Sequence, residues 1–328
     1  MLPYRRSAWF HGVLLEKALL LLVTLLCFGC GPTPNAQRQL YERLSRLEAE
    51  KGWHILVNQG EDTSYLSISQ HKLVPLYARA GNRDFDWIGA ASLKPDGTKL
   101  AFAARARGES SSSLVVFDLK GRSQEAVLRM PSVFGPRWSP SGNRIAFIGQ
   151  MNDGGSLGLY VYDLGKKQSS RVVSAELSSG DGGFAWAPGD RAIVYLTESM
   201  EIRTIDLETM QAQVVGRGYS PSWSPDGKYI AYVSEDQKAW VFRDSRTGRE
   251  ERAPTGKDVG GELVWSPDGQ FVAYCSYNEG FWSRLGDVLS QMDRCGDLQV
   301  MDVRSKLSVK VLGAGYSTPP ADWSVIQQ

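Results

Sequence analysis

The stretch Trp223-Ser-Pro-Asp-Gly227, followed by Tyr229-Ile-Ala-Tyr-Val-Ser234, is the clearest copy of a unit that repeats along this 328-residue chain. Proline, aspartate and glycine in that order favour a tight turn, because proline fixes φ, aspartate accepts hydrogen bonds from the following backbone, and glycine tolerates positive φ. The aromatic and β-branched residues around the turn favour strands. Together with Ala239 to Phe242 and Glu250 to Ala253, which follow further turns, the unit predicts four strands joined as a meander.

The repeated phrase gives a blade length. Its five copies and a degenerate sixth are Leu93-Lys-Pro-Asp-Gly97, Trp138-Ser-Pro-Ser-Gly142, Trp186-Ala-Pro-Gly-Asp190, Trp223-Ser-Pro-Asp-Gly227, Trp265-Ser-Pro-Asp-Gly269 and Ala321-Asp-Trp-Ser-Val325. Counted from the leucine or tryptophan of each phrase, the copies lie 45, 48, 37, 42 and 58 residues apart. Four-stranded propeller blades repeat about every 40–45 residues. The longest interval contains an insertion between residues 275 and 295.

The sixth copy supplies a single strand, and the three strands that it lacks are predicted near the start of the sequence. They are Trp53 to Asn58, Ser64 to Ser69 and Lys72 to Tyr77. Pairing of the C-terminal strand with these N-terminal strands closes a ring and removes exposed sheet edges. The sequence therefore predicts an all-β fold. It is a six-bladed β-propeller of four-stranded antiparallel blades over residues 53–328, preceded by a short N-terminal helix.

The phrase Trp-Ser-Pro-Asp-Gly, followed by a hydrophobic-Ala-aromatic strand, resembles the TolB-like, WD-type β-propeller repeat. Two copies match all five residues, whereas Leu93 replaces the tryptophan of the first copy and Gly189-Asp190 reverses the turn of the third. The resemblance implies a propeller of the bacterial cell envelope with partners such as peptidoglycan-associated lipoproteins. It does not extend to the N-terminal globular domain of full TolB, in whose place Ala36 to Lys51 predict one short helix.

Residues 1–29 have the pattern of a secretory signal peptide. Arg5 and Arg6 precede the apolar run Ala18 to Phe28, which is shorter than the ~20 residues of a membrane-spanning helix. Gly29-Cys30 resembles a bacterial lipoprotein cleavage site, which would make Cys30 the lipid-modified first residue of the mature protein. Residues 30–52 then form a lipid-anchor spacer and the short helix. An uncleaved membrane anchor and an ordinary cleavage site are the alternatives.

The charge balance bears on the kind of partner, and the cysteines bear on the compartment. The chain has 37 Lys and Arg residues against 36 Asp and Glu residues, which does not favour nucleic acid as a partner. Cys275 and Cys295 flank the insertion and are predicted to form a disulfide worth roughly 3 kcal/mol, as suits an oxidising compartment. Two separate thiols are the alternative.

Gly31 after Cys30 favours anchoring to the outer membrane, and the expected state is a monomer.

Residue types that carry catalysis are sparse. After the predicted signal peptide the chain has two histidines, His54 and His71, and it has neither a Gly-x-Ser-x-Gly motif nor a cysteine- or histidine-based metal motif. The sequence therefore favours a binding protein over an enzyme, and it predicts no catalytic residue, no metal ligand and no cofactor. A structural cation in the central channel is the alternative.

Arginines and aromatic residues recur on loops that are predicted to share one face of the ring, and such residues are enriched in protein-binding surfaces. The predicted partner-binding residues are Trp87, Arg137, Arg217, Tyr219, Phe281, Trp282 and Tyr316. The leading hypothesis is a lipid-anchored periplasmic propeller that acts as an adaptor or scaffold and binds another envelope protein or a cell-wall component. The alternative is a carbohydrate- or small-ligand-binding protein, or an enzyme, that uses the central channel.

Overall fold

A computed structural model describes residues 34–59, 62–70, 72–77, 84–152, 155–174, 177, 183–255, 258–277, 296–312 and 320–325. In this part of the chain one helix, α1 (Pro34–Lys51), precedes 25 strands. The strands form six antiparallel sheets that follow one another as the blades of a ring. The predicted all-β, six-bladed propeller with a short N-terminal helix is therefore confirmed.

The blades are built as follows, from the innermost strand outward. Blade 1 contains β25 (Pro320–Val325), β1 (Trp53–Gln59), β2 (Asp62–Ser67) and β3 (Lys72–Tyr77). Blade 2 contains β4 (Phe85–Ile88) with β5 (Ser92–Leu93), β6 (Lys99–Ala106), β7 (Ser112–Asp118) and β8 (Ser123–Met130). Blade 3 contains β9 (Ser132–Trp138), β10 (Arg144–Gln150), β11 (Gly158–Asp163) and β12 (Gln168–Ser174).

The other three blades repeat this order. Blade 4 contains β13 (Phe184–Trp186), β14 (Ala192–Leu196), β15 (Glu201–Asp206) and β16 (Ala212–Arg217). Blade 5 contains β17 (Tyr219–Trp223), β18 (Tyr229–Val233), β19 (Ala239–Asp244) and β20 (Glu250–Pro254). Blade 6 contains β21 (Asp258–Trp265), β22 (Phe271–Tyr277), β23 (Asp297–Asp302) and β24 (Ser308–Leu312).

Ring closure takes place in blade 1, as the sequence predicts. The C-terminal strand β25 pairs with β1 in an antiparallel register that includes Ile55 opposite Trp323. The predicted second strand, Ser64 to Ser69, is displaced by two residues, because Ile68 to Gln70 form the turn to β3 and β2 begins earlier, at Asp62. The ring is thus fastened by the first and last strands of the propeller.

Apolar side chains between neighbouring blades form the core. The described residues contain six buried apolar clusters, one at each junction between blades. At the junction of blades 5 and 6, for example, Phe242 meets the edge of Trp265 at 5.8 Å between ring centroids, and Trp240 is fully buried. The tryptophan of the repeated phrase therefore serves mainly to pack one blade on the next.

The Pro-Asp-Gly turns are held by one bonding pattern. In blade 6 the Ser266 hydroxyl donates to Asp268 Oδ1 at 2.7 Å, and the backbone N–H of Gln270 donates to the same oxygen at 3.0 Å. Gly269 adopts a φ of +68°, which costs glycine little. Asp226 makes the equivalent bonds in blade 5. The aspartate of the repeat is therefore a turn residue.

The reversed turn of the third copy directs its carboxylate elsewhere. Asp190 follows the glycine, adopts a φ of +62°, and is almost fully buried. Its carboxylate accepts a hydrogen bond from the backbone N–H of Ser141 at 3.1 Å and lies 3.6 Å from the Arg144 guanidinium, both in blade 3. Exchanging two residues in the phrase has thus replaced a bond within one turn by a link between two blades.

The innermost strand of blade 2 is interrupted between β4 and β5, and a side chain of blade 1 forms hydrogen bonds with the backbone at the interruption. The buried Asn58 donates from Nδ2 to the Ala91 carbonyl at 3.1 Å and accepts from the Ala91 N–H at 3.2 Å. Thr63 donates to the same amide oxygen at 3.0 Å. An asparagine can bond both the N–H and the C=O of one residue, because its amide carries a donor and an acceptor side by side.

Helix α1 packs across the junction between blades 6 and 1. Leu40 and Leu44 are buried in the cluster that also holds Trp323, so the apolar stripe of the helix packs on the propeller. Gln37 donates to the Ser308 carbonyl of blade 6 at 3.4 Å. None of the helices in the described residues is long and apolar enough to cross a membrane.

Candidate binding site in the central channel

The described residues enclose a cavity of about 450 Å³ on the axis of the ring. All six blades contribute to its wall through their innermost strands and the turns that follow. Residues of the innermost strands that line it include Arg137, Ala185, Ser222, Glu262 and Leu263. Prolines of five turns surround the same end of the channel: Pro95, Pro140, Pro188, Pro225 and Pro267. The cavity therefore lies at the end of the channel that the Trp-Ser-Pro-Asp-Gly turns encircle.

An ion pair crosses this cavity. The guanidinium of Arg137, on β9 of blade 3, contacts the carboxylate of Glu262, on β21 of blade 6. Blades 3 and 6 stand opposite each other in a ring of six, so the pair bridges the axis. The two side chains keep only 20% and 16% of their surface exposed, and a charge-assisted hydrogen bond is stronger at such a half-buried position than in bulk water.

Both partners lie next to an irregularity of their strand, but Arg137 has a partner in the ladder and Glu262 has none. Arg137 lies opposite Ala146 in the ladder between β9 and β10, and its carbonyl oxygen accepts a hydrogen bond from the Trp186 indole at 3.1 Å. Glu262 lies in a β-bulge, because the register between β21 and β22 passes from Gly260 opposite Cys275 directly to Val264 opposite Ala273. Gly261, within the bulge, has a φ of +72°. Bulges re-aim side chains, often next to functional sites.

Three residues predicted for a partner-binding face make contacts within the chain. Trp87 packs edge-on against Phe134 at 6.3 Å. Arg217 donates to Glu235 at 2.9 Å and to the Ser199 carbonyl at 3.1 Å, which are in turns between the second and third strands of blades 5 and 4. Tyr219 donates its hydroxyl to the Met200 sulfur at 2.9 Å.

Arg137 does not share that face. It lies in the channel at the end of β9, next to Trp138 and the turn, which places it toward the opposite side of the ring. The other predicted members, Phe281, Trp282 and Tyr316, lie outside the described residues, as do Cys30, His71 and Cys295. Cys275 is fully buried on β22, and its disulfide with Cys295 stays a prediction.

His54 lies on β1, just after the end of α1, and contributes to a polar cluster. Its Nδ1 is 3.3 Å from the Glu48 carboxylate, and both side chains are buried. Glu48 also accepts hydrogen bonds from the backbone N–H groups of Ile68 at 2.9 Å and Ser69 at 2.7 Å. Burial alone would raise the pKa of Glu48, but the bonds from His54, Ser69 and Ile68 lower it to about 2. The carboxylate is therefore ionised and fastens the helix to blade 1.

The channel offers little to a metal ion. Among the residues that the structure describes, no three His, Cys, Asp or Glu side chains lie close enough to hold one. The described wall of the cavity carries one carboxylate, Glu262, and it already contacts a guanidinium. A structural cation in the channel and the absence of a cofactor both stay predictions.

Glu262, Glu48 and Asn58 were not singled out by the sequence. Glu262 had a usable signal, since the pair Gly260-Gly261 inside a strand pattern predicts a bulge just before it. Glu48 and Asn58 had none, because their partners come from other segments of the chain.

A closed six-bladed β-propeller with a pocket on its axis is the class of protein that these features define. A family model described as TolB beta propeller domain matches residues 86–300, which is more than half of the chain. The chain therefore belongs to the TolB β-propeller family, as the repeated phrase predicts. No curated protein matches the chain in sequence.

Solved structures share the fold at low sequence identity. TolB from Acinetobacter baumannii superposes with a TM-score of 0.62 at 20% identity, over 85% of this chain and 70% of that chain. A chain of the nidogen/laminin complex superposes with a TM-score of 0.59 at 11% identity, over 83% of this chain and 98% of that chain. At these identities the likeness is one of fold.

Proposed function

We propose that this chain is a partner-binding propeller of the bacterial cell envelope that takes a segment of another protein into its axial cavity. The observation that carries the proposal is the cavity of about 450 Å³, lined by all six blades and crossed by the Arg137–Glu262 pair. Its volume lies within the roughly 300–1,000 Å³ of ligand pockets. The prolines of five turns restrict the backbone at one end of this wall, so ordering these turns costs little conformational entropy when a segment binds.

The cavity is a better candidate than the loop face. Arg217 and Tyr219 already bond to neighbouring turns of their own chain, and Trp87 packs against Phe134. A partner would have to break these contacts before it could use the side chains, which lowers the net gain of binding. Phe281, Trp282 and Tyr316 stay predicted members of a second contact region.

Membership of the TolB β-propeller family supports a binding role in the envelope. The similar chain in the nidogen/laminin complex belongs to an assembly of two proteins, which is consistent with such a role. A small ligand or carbohydrate in the same cavity is the second candidate, because the volume also suits such molecules.

Filling the cavity is expected to abolish partner binding. Ser222 lines the cavity from β17, so Ser222→Trp places an indole in the space that the segment needs, whereas Ser222→Ala leaves it open. After cross-linking in cells and purification of the tagged full-length protein, we expect one envelope protein with wild type and Ser222→Ala. We expect its yield to fall at least about tenfold with Ser222→Trp.

A folded Ser222→Trp variant that retains the partner would contradict the proposal; thermal melting establishes that the variant is folded. Recovery of no specific protein by any variant, together with stabilisation of wild type but not Ser222→Trp by a sugar in a thermal-shift panel, would establish the second candidate instead. Ligands that bind only the folded state raise its melting temperature.

We also propose that Cys30 carries a lipid that holds the propeller at the periplasmic face of the outer membrane. A lipidated cysteine followed by the helix that packs on the propeller would keep the ring close to the bilayer. Cys30→Ser is expected to release the mature protein into the soluble periplasmic fraction, measured by cell fractionation and immunoblotting. Membrane fractionation that is unchanged, with the N-terminus retained, would support the uncleaved anchor.

A further inference from the structure

We infer that the group which enters the cavity is a carboxylate, carried by an acidic residue in an extended segment of the partner protein, and that Arg137 binds it in place of Glu262. The inference rests on the proposed function, because it names the chemistry of the segment that the cavity takes. Arg137 is then the specificity-determining residue of the site. The Glu262 carboxylate occupies the position of the ligand carboxylate when no partner is bound.

The charges inside the cavity limit what can bind there. In the described wall, Arg137 and Glu262 are the charged residues, and the remaining lining side chains are apolar or carry hydroxyl or indole groups. A segment that reached the axis would therefore meet one cation and one anion that already contact each other. Entry of the segment requires that this pair separate.

The backbone decides which partner moves. Arg137 keeps a ladder partner, Ala146, although the register of β9 shifts just before it, and its carbonyl is held by the Trp186 indole. Glu262 lies in the bulge that follows Gly260, where no residue of β22 is opposite it in the ladder. Because glycine loses little by changing φ and ψ, the bulge is the segment that can shift. Glu262 therefore leaves the axis, while the guanidinium stays.

An acidic residue in the segment then restores what the separation removes. A neutral segment would leave the half-buried guanidinium without a carboxylate, which costs far more than the net value of an ordinary hydrogen bond. A basic segment would have to displace Arg137 from its fixed position. Exchange of one carboxylate for another keeps the guanidinium paired. The site therefore disfavours neutral and basic segments because they would leave a half-buried charge unpaired, and not because they make fewer contacts.

Charges at the rim of the cavity do not alter this balance. Lys94 and Arg144 lie over the tryptophans of the wall, at 6.0 Å from Trp138 and 5.2 Å from Trp186. Each also pairs with an acidic residue of its own face, Asp96 and Asp190. These two cations are therefore balanced locally, and Arg137 is the cation that acts inside the cavity.

Peptide selection tests the inference. A random linear-peptide library displayed on phage is selected on the immobilised mature protein, and clones that also bind Ser222→Trp are discarded. We expect the remaining clones to share an Asp or Glu among apolar residues. A synthetic peptide of the consensus is expected to bind Arg137→Met at least about tenfold more weakly than wild type, because a charge-assisted hydrogen bond is lost.

Two further variants separate recognition from damage to the fold. Glu262→Gln removes the competing carboxylate and is expected to bind the consensus peptide at least as tightly as wild type. Arg137→Met combined with Glu262→Met leaves no unpaired charge in the channel, so it is expected to fold and still to bind the peptide weakly. Replacing the acidic residue of the peptide with its amide is expected to match the loss caused by Arg137→Met.

The outcomes distinguish this inference from the proposed function. Cavity-dependent peptides that are basic or neutral, or that bind Arg137→Met as tightly as wild type, would overturn the inference and leave the cavity as the binding site. Clones that all bind Ser222→Trp as well as wild type would overturn the proposed function and the inference together.

Discussion

A chain that ends at Pro319 is expected to lose cooperative unfolding altogether. The truncation removes β25, the innermost strand of blade 1, which pairs with β1 from Trp53 to Val57. It also removes Trp323, which is 5% exposed and lies 6.3 Å from the Phe271 ring. Loss of a buried tryptophan alone costs about 3–5 kcal/mol, and the total stability of a domain is about 5–15 kcal/mol. Circular dichroism during heating measures the result.

Two controls accompany the truncation. A chain that lacks only residues 326–328 keeps all of β25 and is expected to melt close to the full-length protein. Trp323→Ala keeps the ladder but loses the packing, so it is expected to melt cooperatively at a temperature below that of the full-length protein. A protein ending at Pro319 that melts cooperatively at the wild-type temperature would contradict closure of the ring through blade 1.

Glu48→Ala is expected to destabilise the protein by about 3 kcal/mol near neutral pH, because removal of a buried carboxylate leaves buried backbone donors without their acceptor. The substitution leaves the Ile68 and Ser69 N–H groups and His54 without the carboxylate that they bond. Alanine favours the helix more than glutamate does, so helix propensity cannot explain a loss. Urea unfolding, monitored by tryptophan fluorescence, measures it.

The effect of Glu48 is expected to depend on pH in one direction. Its pKa is lowered from the ordinary 4.5 to about 2 in the folded protein, so the unfolded chain binds the proton more tightly. The stabilisation is therefore fully present above about pH 4.5 and is lost as the pH falls toward 2. The difference between wild type and Glu48→Ala should shrink over that range.

Glu42→Ala is the matched control on the same helix. Glu42 is exposed and pairs with Arg38 one turn away, and such exposed pairs contribute little to stability. It should change stability little and should leave the acid dependence of the wild type intact. Equal losses for Glu42→Ala and Glu48→Ala would contradict the role assigned to the buried carboxylate.

The blade count and ring closure were predictable because their causes are local and repeated. The local sequence Pro-Asp-Gly favours each turn, and each phrase places one large side chain at the same point of its blade. The reversed Gly189-Asp190 turn shows where such reasoning ends. Its altered order was visible in the sequence. The hydrogen bond that Asp190 accepts from Ser141 of the neighbouring blade 3 was not, because it depends on how the two blades pack.

The candidate site was less predictable for the same physical reason. Arg137 and Glu262 are 125 residues apart and meet only because the ring places blades 3 and 6 opposite each other. Arg137 was assigned to a loop face from its residue type, whereas the position just before a blade tryptophan puts it in the channel. Glu48 and His54 likewise meet because α1 folds back on blade 1.

In-cell photo-crosslinking from inside the cavity tests the central claim most directly. A photoreactive amino acid replaces Ala185, which lines the cavity from the innermost strand of blade 4. The control carries it at Val214, which is 55% exposed on the outermost strand of the same blade. We predict a discrete adduct with one envelope protein from position 185 and none from position 214. No adduct from position 185, or the same adducts from both, would contradict binding of a partner in the channel.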